Sequence, residues 1–301
     1  MILRARQRRL ELGGRPLLMG ILNATPDSFS DGRAGEAPAA RVERGRALIA
    51  AGADILDVGG ESARGDRPAV SVQEEIERVA ATIEALAGEG ALISVDTYKP
   101  AVAEAAIAAG AAIVNDVSGL RDVALAELCA RSGAALVVMH TRVPPKGTLL
   151  DPDAYEDVVA DVAGFLRERV DAALAAGVAP EQLILDPGPD FAKTPAQTVA
   201  VLRRLDLLRA FERPLLLAIS RKDFLGAVVG RRPAERDAAT LAAVGFAADS
   251  GAEILRLHDV AGAADYLAVR AVLRGERELT PLEGLTPERY PDGVPGHIPL
   301  G

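Results

Sequence analysis

Short apolar runs recur along the chain, and each one stops on a polar or charged residue before a stretch with helical spacing begins. The first, Leu17 to Leu22, is too short for a helix and ends on Asn23. Unbroken apolar runs of this length predict strands buried on both faces, the mark of a parallel sheet. The same arrangement returns in ADILDVGG (residues 53–60), ALISVDT ending at Asp96 and Thr97, AAIVND ending at Asn115 and Asp116, and AALVVMH ending at Met139 and His140. It returns again in QLILDPG with Asp186, PLLLAIS running into Ser220, Arg221 and Lys222, and AEILRLHDV with Arg256, His258 and Asp259.

Helices are predicted between them: Pro38 to Ala51, Ser71 to Ala87, from Pro100, Val123 to Ser132, Ala154 to Ala176, Pro195 to Arg209, Ala234 to Asp249, and a last one reaching Arg274. Ser71 with Glu74 reads as a capping box, and Pro100 suits a first helical turn, where its missing N–H is not needed. Eight strand–helix alternations predict a single-domain (β/α)8 TIM barrel over residues 1–275. A doubly wound open sheet is the competing arrangement, and the count of eight favours the barrel. Residues 276–301 are rich in Pro and Gly and read as a C-terminal tail, not a second domain.

Composition narrows the function classes. An apolar fraction of 49%, with 3% aromatics and no Trp, fits helices packed closely on a parallel sheet through Ala, Leu, Val and Ile. The formal charge of −9 offers no basic footprint for nucleic acid or an anionic membrane, although it says nothing against a local cationic pocket. The lone cysteine, Cys129, cannot form an internal disulfide and reads as a small buried hydrophobe in a reducing, cytoplasmic setting. The charged N-terminal stretch does not resemble a signal peptide, and no apolar run is long enough to span a bilayer.

In parallel α/β folds, ligands bind at the carboxyl ends of the strands. There this chain places Asn23, Asp57, Glu61, Arg64, Asp96, Asn115, Met139, Asp186, Lys222, Arg256 and His258. Singly, each reads as a cap or a solvated loop residue; together on one rim they read as a site. The carboxylates Asp96 and Asp186 with the amide of Asn115 suit the donor-rich edge of a flat heterocycle. Arg64, Arg256 and His258 suit a phosphate or diphosphate. The three histidines, His140, His258 and His297, lack zinc-type spacing, so a protein-built metal cage is not expected. His140 itself reads as structural.

The blocks MGILNATPDSFSDG, LDVGGES, SVDTYKP, VNDVSG, LDPGPDFAK, SRKDFLG and RLHDV resemble, in order and at similar spacing, the signature blocks of the dihydropteroate synthase family of pterin-binding enzymes. The resemblance runs from about Leu17 to Val260. It implies a (β/α)8 barrel that condenses 6-hydroxymethyl-7,8-dihydropterin diphosphate with 4-aminobenzoate, releasing diphosphate and forming 7,8-dihydropteroate for folate synthesis, and that is a target of sulfonamides. By the same resemblance, Asp96, Asn115, Asp186 and Lys222 hold the pterin with Met139 and Arg256 beside it. Asn23 ligates Mg2+ on the diphosphate, whose oxygens meet Arg64, Arg256 and His258. Ala63, Phe191, Ser220 and Lys222 line the aminobenzoate side. Catalysis would rest on Asp96, Asp186, Lys222 and Arg256, and the enzyme would be a homodimer built through outer helices.

The chain departs from the family pattern at Ala63 (usually Thr), Gly65 (usually Pro) and Asp66, at Thr141–Val143 after His140, at Asp190 (usually Gly) and at Asp223 (commonly Ser). Two explanations are open: drift in tolerant loops, or an altered acceptor pocket. A pterin-binding paralogue without turnover and a methyltetrahydrofolate-type methyltransferase are the other readings. The latter handles no diphosphate, which sets the cationic residues against it. The loops around Pro26–Gly35 and Ser62–Pro68 are expected to be poorly ordered without ligand.

Overall fold

The computed structural model describes residues 1–24, 38–62, 67–280 and 283–284. It opens on an antiparallel hairpin, β1 (Ile2–Ala5) and β2 (Arg8–Glu11), which the hydrophobic pattern did not announce. The turn residue Arg6 ties the hairpin to the barrel, its N–H donating to Gly133 O at 2.6 Å and its guanidinium to Ile107 O at 2.9 Å.

Eight parallel strands follow: β3 (Leu17–Asn23), β4 (Ile55–Gly59), β5 (Ile93–Asp96), β6 (Ile113–Asp116), β7 (Ala135–Met139), β8 (Leu183–Asp186), β9 (Leu216–Leu217) and β10 (Ile254–Leu257). They pair in the order β8-β7-β6-β5-β4-β3-β10-β9. A bridge between Leu185 and Leu215 closes the ring from β8 to β9. The expected (β/α)8 barrel is thus present. Its one thin stave is β9, where PLLLAIS contributes only a short ladder.

The helices are α1 (Pro38–Ala50), α2 (Val72–Gly88), α3 (Pro100–Ala108), α4 (Ala124–Ser132), α5 (Val158–Ala175), α6 (Pro195–Leu202), α7 (Leu205–Arg209), α8 (Asp223–Val229), α9 (Asp237–Asp249) and α10 (Val260–Leu273). Several starts follow from capping chemistry. Ser71 Oγ accepts from Glu74 N at 3.2 Å, half of the expected capping box, while the Glu74 carboxylate turns to Arg78; Pro100 occupies the first turn of α3, as predicted. The helix expected from Ala154 instead begins at Val158, because the Asp157 carboxylate caps Val159 N and Ala160 N at 2.8 and 3.0 Å. The run expected from Pro195 to Arg209 breaks at Arg203 and Arg204 into two helices. The helix expected from Ala234 starts at Asp237, after a 3-10 turn over Pro233–Glu235. The short helix α8 was not expected.

Two apolar layers hold the barrel, as the alternation of strand side chains dictates. Leu56, Val58, Val95, Val114, Val138, Leu185 and Leu255 pack outward against the helices. Met19, Ile55, Ile113, Val137, Ile184, Leu216 and Ile254 form a second cluster with Leu3, Ala5 and Leu12 of the hairpin region. The hairpin therefore stoppers the amino-terminal mouth of the barrel. The carboxyl-terminal mouth is left for polar side chains.

Candidate functional site

On four strands the inward-facing position changes character two residues further up. Ile55 gives way to Asp57, Ile113 to Asn115, Ile184 to Asp186 and Ile254 to Arg256. Strand register then sets these groups side by side, with Asp96 opposite both Asn115 and Gly59.

Arg256 is the hub. Its Nε lies 2.6 Å from Asp57 Oδ2 and its Nη2 2.7 Å from Asp96 Oδ2. Asn115 Nδ2 donates to the same Asp57 oxygen at 3.1 Å, while the other, Oδ1, is buried with no partner among the described residues. Asp57 has no exposure at all, and Arg256 is its ion-pair partner. Burial pushes the Asp96 carboxyl above the usual carboxylate range, against the pull of Arg256. Burial also carries Asp186 up to about 6, opposed by the Gly188 N–H, which donates to Asp186 Oδ1 at 2.7 Å, and by the charge on Lys222. Both carboxyls are held at a cost that a donor-rich ligand would relieve.

The cationic side is equally ordered. Lys222 is drawn down by burial, and its Nζ lies 4.4 Å from the centre of the Phe191 ring. His258 Nδ1 lies 2.9 Å from Ser220 Oγ, and burial beside Arg221 lowers its pKa to about 4, which keeps the ring neutral. Lys222 follows Arg221, which takes a left-handed φ of 58° and is held by Asp237 at 2.7 Å.

A narrow cleft opens beside the rim, lined by Glu61, Ser62, Asp96, Thr97, Tyr98 and Phe191 among others. Glu61 meets Lys99 at 2.5 Å and Lys146 at 3.0 Å. Lys146 Nζ also donates to the carbonyls of Ser62, Arg67 and Pro68, so the loop after β7 grips the loop after β4.

The structure thus brings Asp96, Asn115, Asp186, Ser220, Lys222, Arg256, His258 and Phe191 to one mouth. Met139, 1% exposed, is the register partner of Asp186 across the β7–β8 ladder. Asn23 ends β3 on the same rim; its carbonyl accepts from Arg44 at 2.7 Å, and its side chain makes no hydrogen bond among the described residues. Ala63 and Arg64 lie outside the described residues, as do Pro26–Gly35 and most of Ser62–Pro68. No group of three or more His, Cys, Asp or Glu side chains among the described residues could cage a metal ion. Cys129 is buried, its thiol pushed up to about 12 by burial.

One residue escaped the sequence reading. Lys193 is 1% exposed, and its ammonium meets His140 Nδ1 at 2.7 Å, Gly188 O at 3.0 Å and Phe191 O at 3.1 Å. Burial lowers it to about 7. Three donors and three acceptors lock the loop that follows Asp186. Gly188 sits there at φ 65°, where a Cβ would fall 2.1 Å from His140 O, so only glycine fits. His140 donates through Nε2 to Asp161 at 3.0 Å; burial and Lys193 lower its pKa to about 4, and its role is structural. The only signal in the sequence was a lysine in an otherwise apolar FAK step.

With this geometry established, similarity to known proteins is informative. Residues 19–258 match the family model described as pterin binding enzyme. The type-2 dihydropteroate synthase of Escherichia coli is 40% identical over 261 residues, covering 86% of this chain and 96% of that protein. A probable bifunctional folylpolyglutamate synthase/dihydropteroate synthase of Haloferax volcanii is 46% identical over 243 residues; the match spans 81% of this chain but 29% of that longer protein. The Xanthomonas albilineans dihydropteroate synthase solved with 4-aminobenzoic acid superposes with a TM-score of 0.83 at 42% identity, covering 91% of this chain and 99% of that one. The same enzyme with 7,8-dihydropteroate gives 0.80 at 41%, covering 90% and 98%.

Proposed function

The chain belongs to the pterin-binding enzyme family, and from that premise we propose that it is a dihydropteroate synthase, joining 6-hydroxymethyl-7,8-dihydropterin diphosphate to 4-aminobenzoate. The observation that carries this is the convergence of Asp96, Asn115 and Asp186 with Arg256 and Lys222 around one barrel mouth. A pterin presents a row of N–H donors on one edge and acceptors beside it. Buried carboxylates and a buried amide match that row, and the donors repay the desolvation that raises Asp96 and Asp186.

In the reaction, the bond between the pterin methylene and the diphosphate oxygen breaks, and the pair leaves with the diphosphate. The methylene cation is delocalised into the ring, where the fixed carboxylates Asp96 and Asp186 stabilise it. The amine of 4-aminobenzoate, already neutral at pH 7, forms the new C–N bond and then sheds a proton. It needs positioning more than deprotonation. Lys222, Ser220 and Phe191 form the wall on that side. Arg256 has a third donor, Nη1, uncommitted among the described residues, and with His258 and Arg64 it would receive the diphosphate.

Asn23 would hold Mg2+ together with the substrate's own phosphates. A single amide oxygen, without a hydrogen bond among the described residues, suits an ion that keeps most of its waters. Such an ion supplies charge neutralisation on the leaving group.

Measuring diphosphate release with and without 4-aminobenzoate tests the assignment. Release that depends on the amine is expected. No release, or release indifferent to the amine, would favour a pterin-binding paralogue. The altered-acceptor reading has little here to support it. Ala63, Gly65 and Asp66 lie outside the described residues, Arg142 is committed to Asp161, and Asp223 pairs with Arg236 at 2.9 Å.

We also propose a cytoplasmic homodimer. No helix among the described residues is long and apolar enough to cross a membrane. Val228, Val229 and Phe246 line an apolar groove on α8 and α9. A mass of one chain in sedimentation would remove the dimer.

A further inference from the structure

Asp190 lies in the loop between β8 and α6 with φ of 63°, a conformation that side chains with a Cβ seldom adopt. Its carboxylate is fully engaged. Oδ2 accepts from the N–H of Asp223 and, at 3.4 Å, from that of Phe224, in the first turn of α8. The residue preceding that helix is Lys222, whose side chain makes no capping bond, so the cap comes from another loop. Oδ1 accepts from Thr198 Oγ1 at 3.1 Å, and Asp190 N donates to the same hydroxyl at 3.0 Å. From the other side, Arg236 Nη1 donates to Arg221 O at 2.9 Å and Lys222 O at 3.0 Å. The donors of this segment thus go to Asp190, and its carbonyls to Arg236.

The two ends of the Asp190–Asp223 bond each adjoin a residue of the acceptor wall. Phe191 follows Asp190, and Lys222 precedes Asp223; the lysine Nζ lies 4.4 Å from the centre of that ring. One bond between loops therefore fixes how far apart the two wall residues stand. Asp190 is also the foremost charge opposing the effect of burial on Lys222.

We propose that Asp190 is a positioning residue for the aromatic amine, setting the spacing of Phe191 and Lys222 by bridging the loop after β8 to α8. The proposal rests on the reading of that wall as the 4-aminobenzoate side. Asp190→Gly relieves the left-handed backbone while removing the bridge, so folding is largely preserved. The KM for 4-aminobenzoate should then rise about tenfold, the scale of one lost hydrogen bond to a charged group. The KM for the pterin diphosphate should stay within about twofold, because Asp96, Asn115 and the Arg256 pairs are untouched. Asp190→Asn tolerates the same φ and keeps an acceptor, and should restore the amine KM to within about threefold of wild type.

An unchanged amine KM in Asp190→Gly, or an equal rise in both constants, would overturn the proposal, the latter because general loosening moves both. Should Asp190→Gly not fold, Thr198→Val frees the carboxylate from its second anchor, and it must show the same asymmetry at smaller size or the proposal falls. Wild type run in the same assay separates the two levels. No amine-dependent turnover at all overturns the functional reading and this proposal together, whereas normal turnover without the asymmetry overturns this proposal alone.

Discussion

The two mouths of this barrel are built by the same strands and could hardly differ more. At the amino-terminal end Met19, Ile55, Ile113, Ile184 and Ile254 close on Leu3, Ala5 and Leu12 in one apolar cluster. One inward step higher stand Asp57, Asn115, Asp186 and Arg256. Burying a large aliphatic side chain contributes roughly 1.5–3 kcal/mol, whereas each buried charge is costly unless paired. The stoppered end supplies stability so that the open end can keep polar groups short of water. Stability and chemistry are thus separated by about two residues along each of these four strands.

The sharpest way to break that division is at Arg256's partner. Asp96→Asn removes the carboxylate from a buried charge-assisted contact and should lower kcat/KM by about 10²- to 10³-fold. Steady-state kinetics check this, and wild-type turnover in the variant would refute the assignment. At the other mouth, Leu3→Ala should destabilise the protein by about 2–4 kcal/mol in urea unfolding while leaving both KM values unchanged. A shift in KM would show that the two ends are coupled.

Within the open end, Lys222→Ala should lower kcat/KM by about 100-fold and Lys146→Ala by less than about tenfold, because Lys222 faces the site while Lys146 grips a loop. Equal losses would misplace the block SRKDFLG.

The smallest effect is a pH signature. Asp186 is raised from its ordinary range to about 6, so the folded state favours the protonated acid. Its stabilising contribution is complete below about pH 4 and is lost as pH rises through 6. The stability of wild type relative to Asp186→Asn should therefore fall by about 3 kcal/mol between pH 4 and 7 in paired unfolding curves. Pterin affinity should run the opposite way, weakening below pH 6 in calorimetry as the acceptor is protonated. A flat stability difference would show that Asp186 is not held against its charge.

Why was the open end legible in the sequence and the stopper not? A polar residue ending an apolar run is a local signal, and Asp96, Asn115, Asp186 and Arg256 each carry it. The hairpin offers Leu3 and Ala5 among arginines, and nothing local says that a barrel mouth will receive them. Lys193 was hidden for the same reason, since its three acceptors come from His140 and its own loop after folding. The extra helix α8 takes its cap from Asp190 across a loop, a partner no reading of neighbouring residues could supply. The start of α5 moved because Asp157 captured its first N–H groups, and that of α9 because a 3-10 turn over Pro233–Glu235 precedes it.

The most direct measurement is a crystal structure of this protein soaked with a pterin ring compound. Density for the bicyclic ring in contact with Asp96, Asn115 and Asp186 at the open mouth is the predicted result. A ring bound elsewhere, or an open mouth unchanged at saturating ligand, would contradict it.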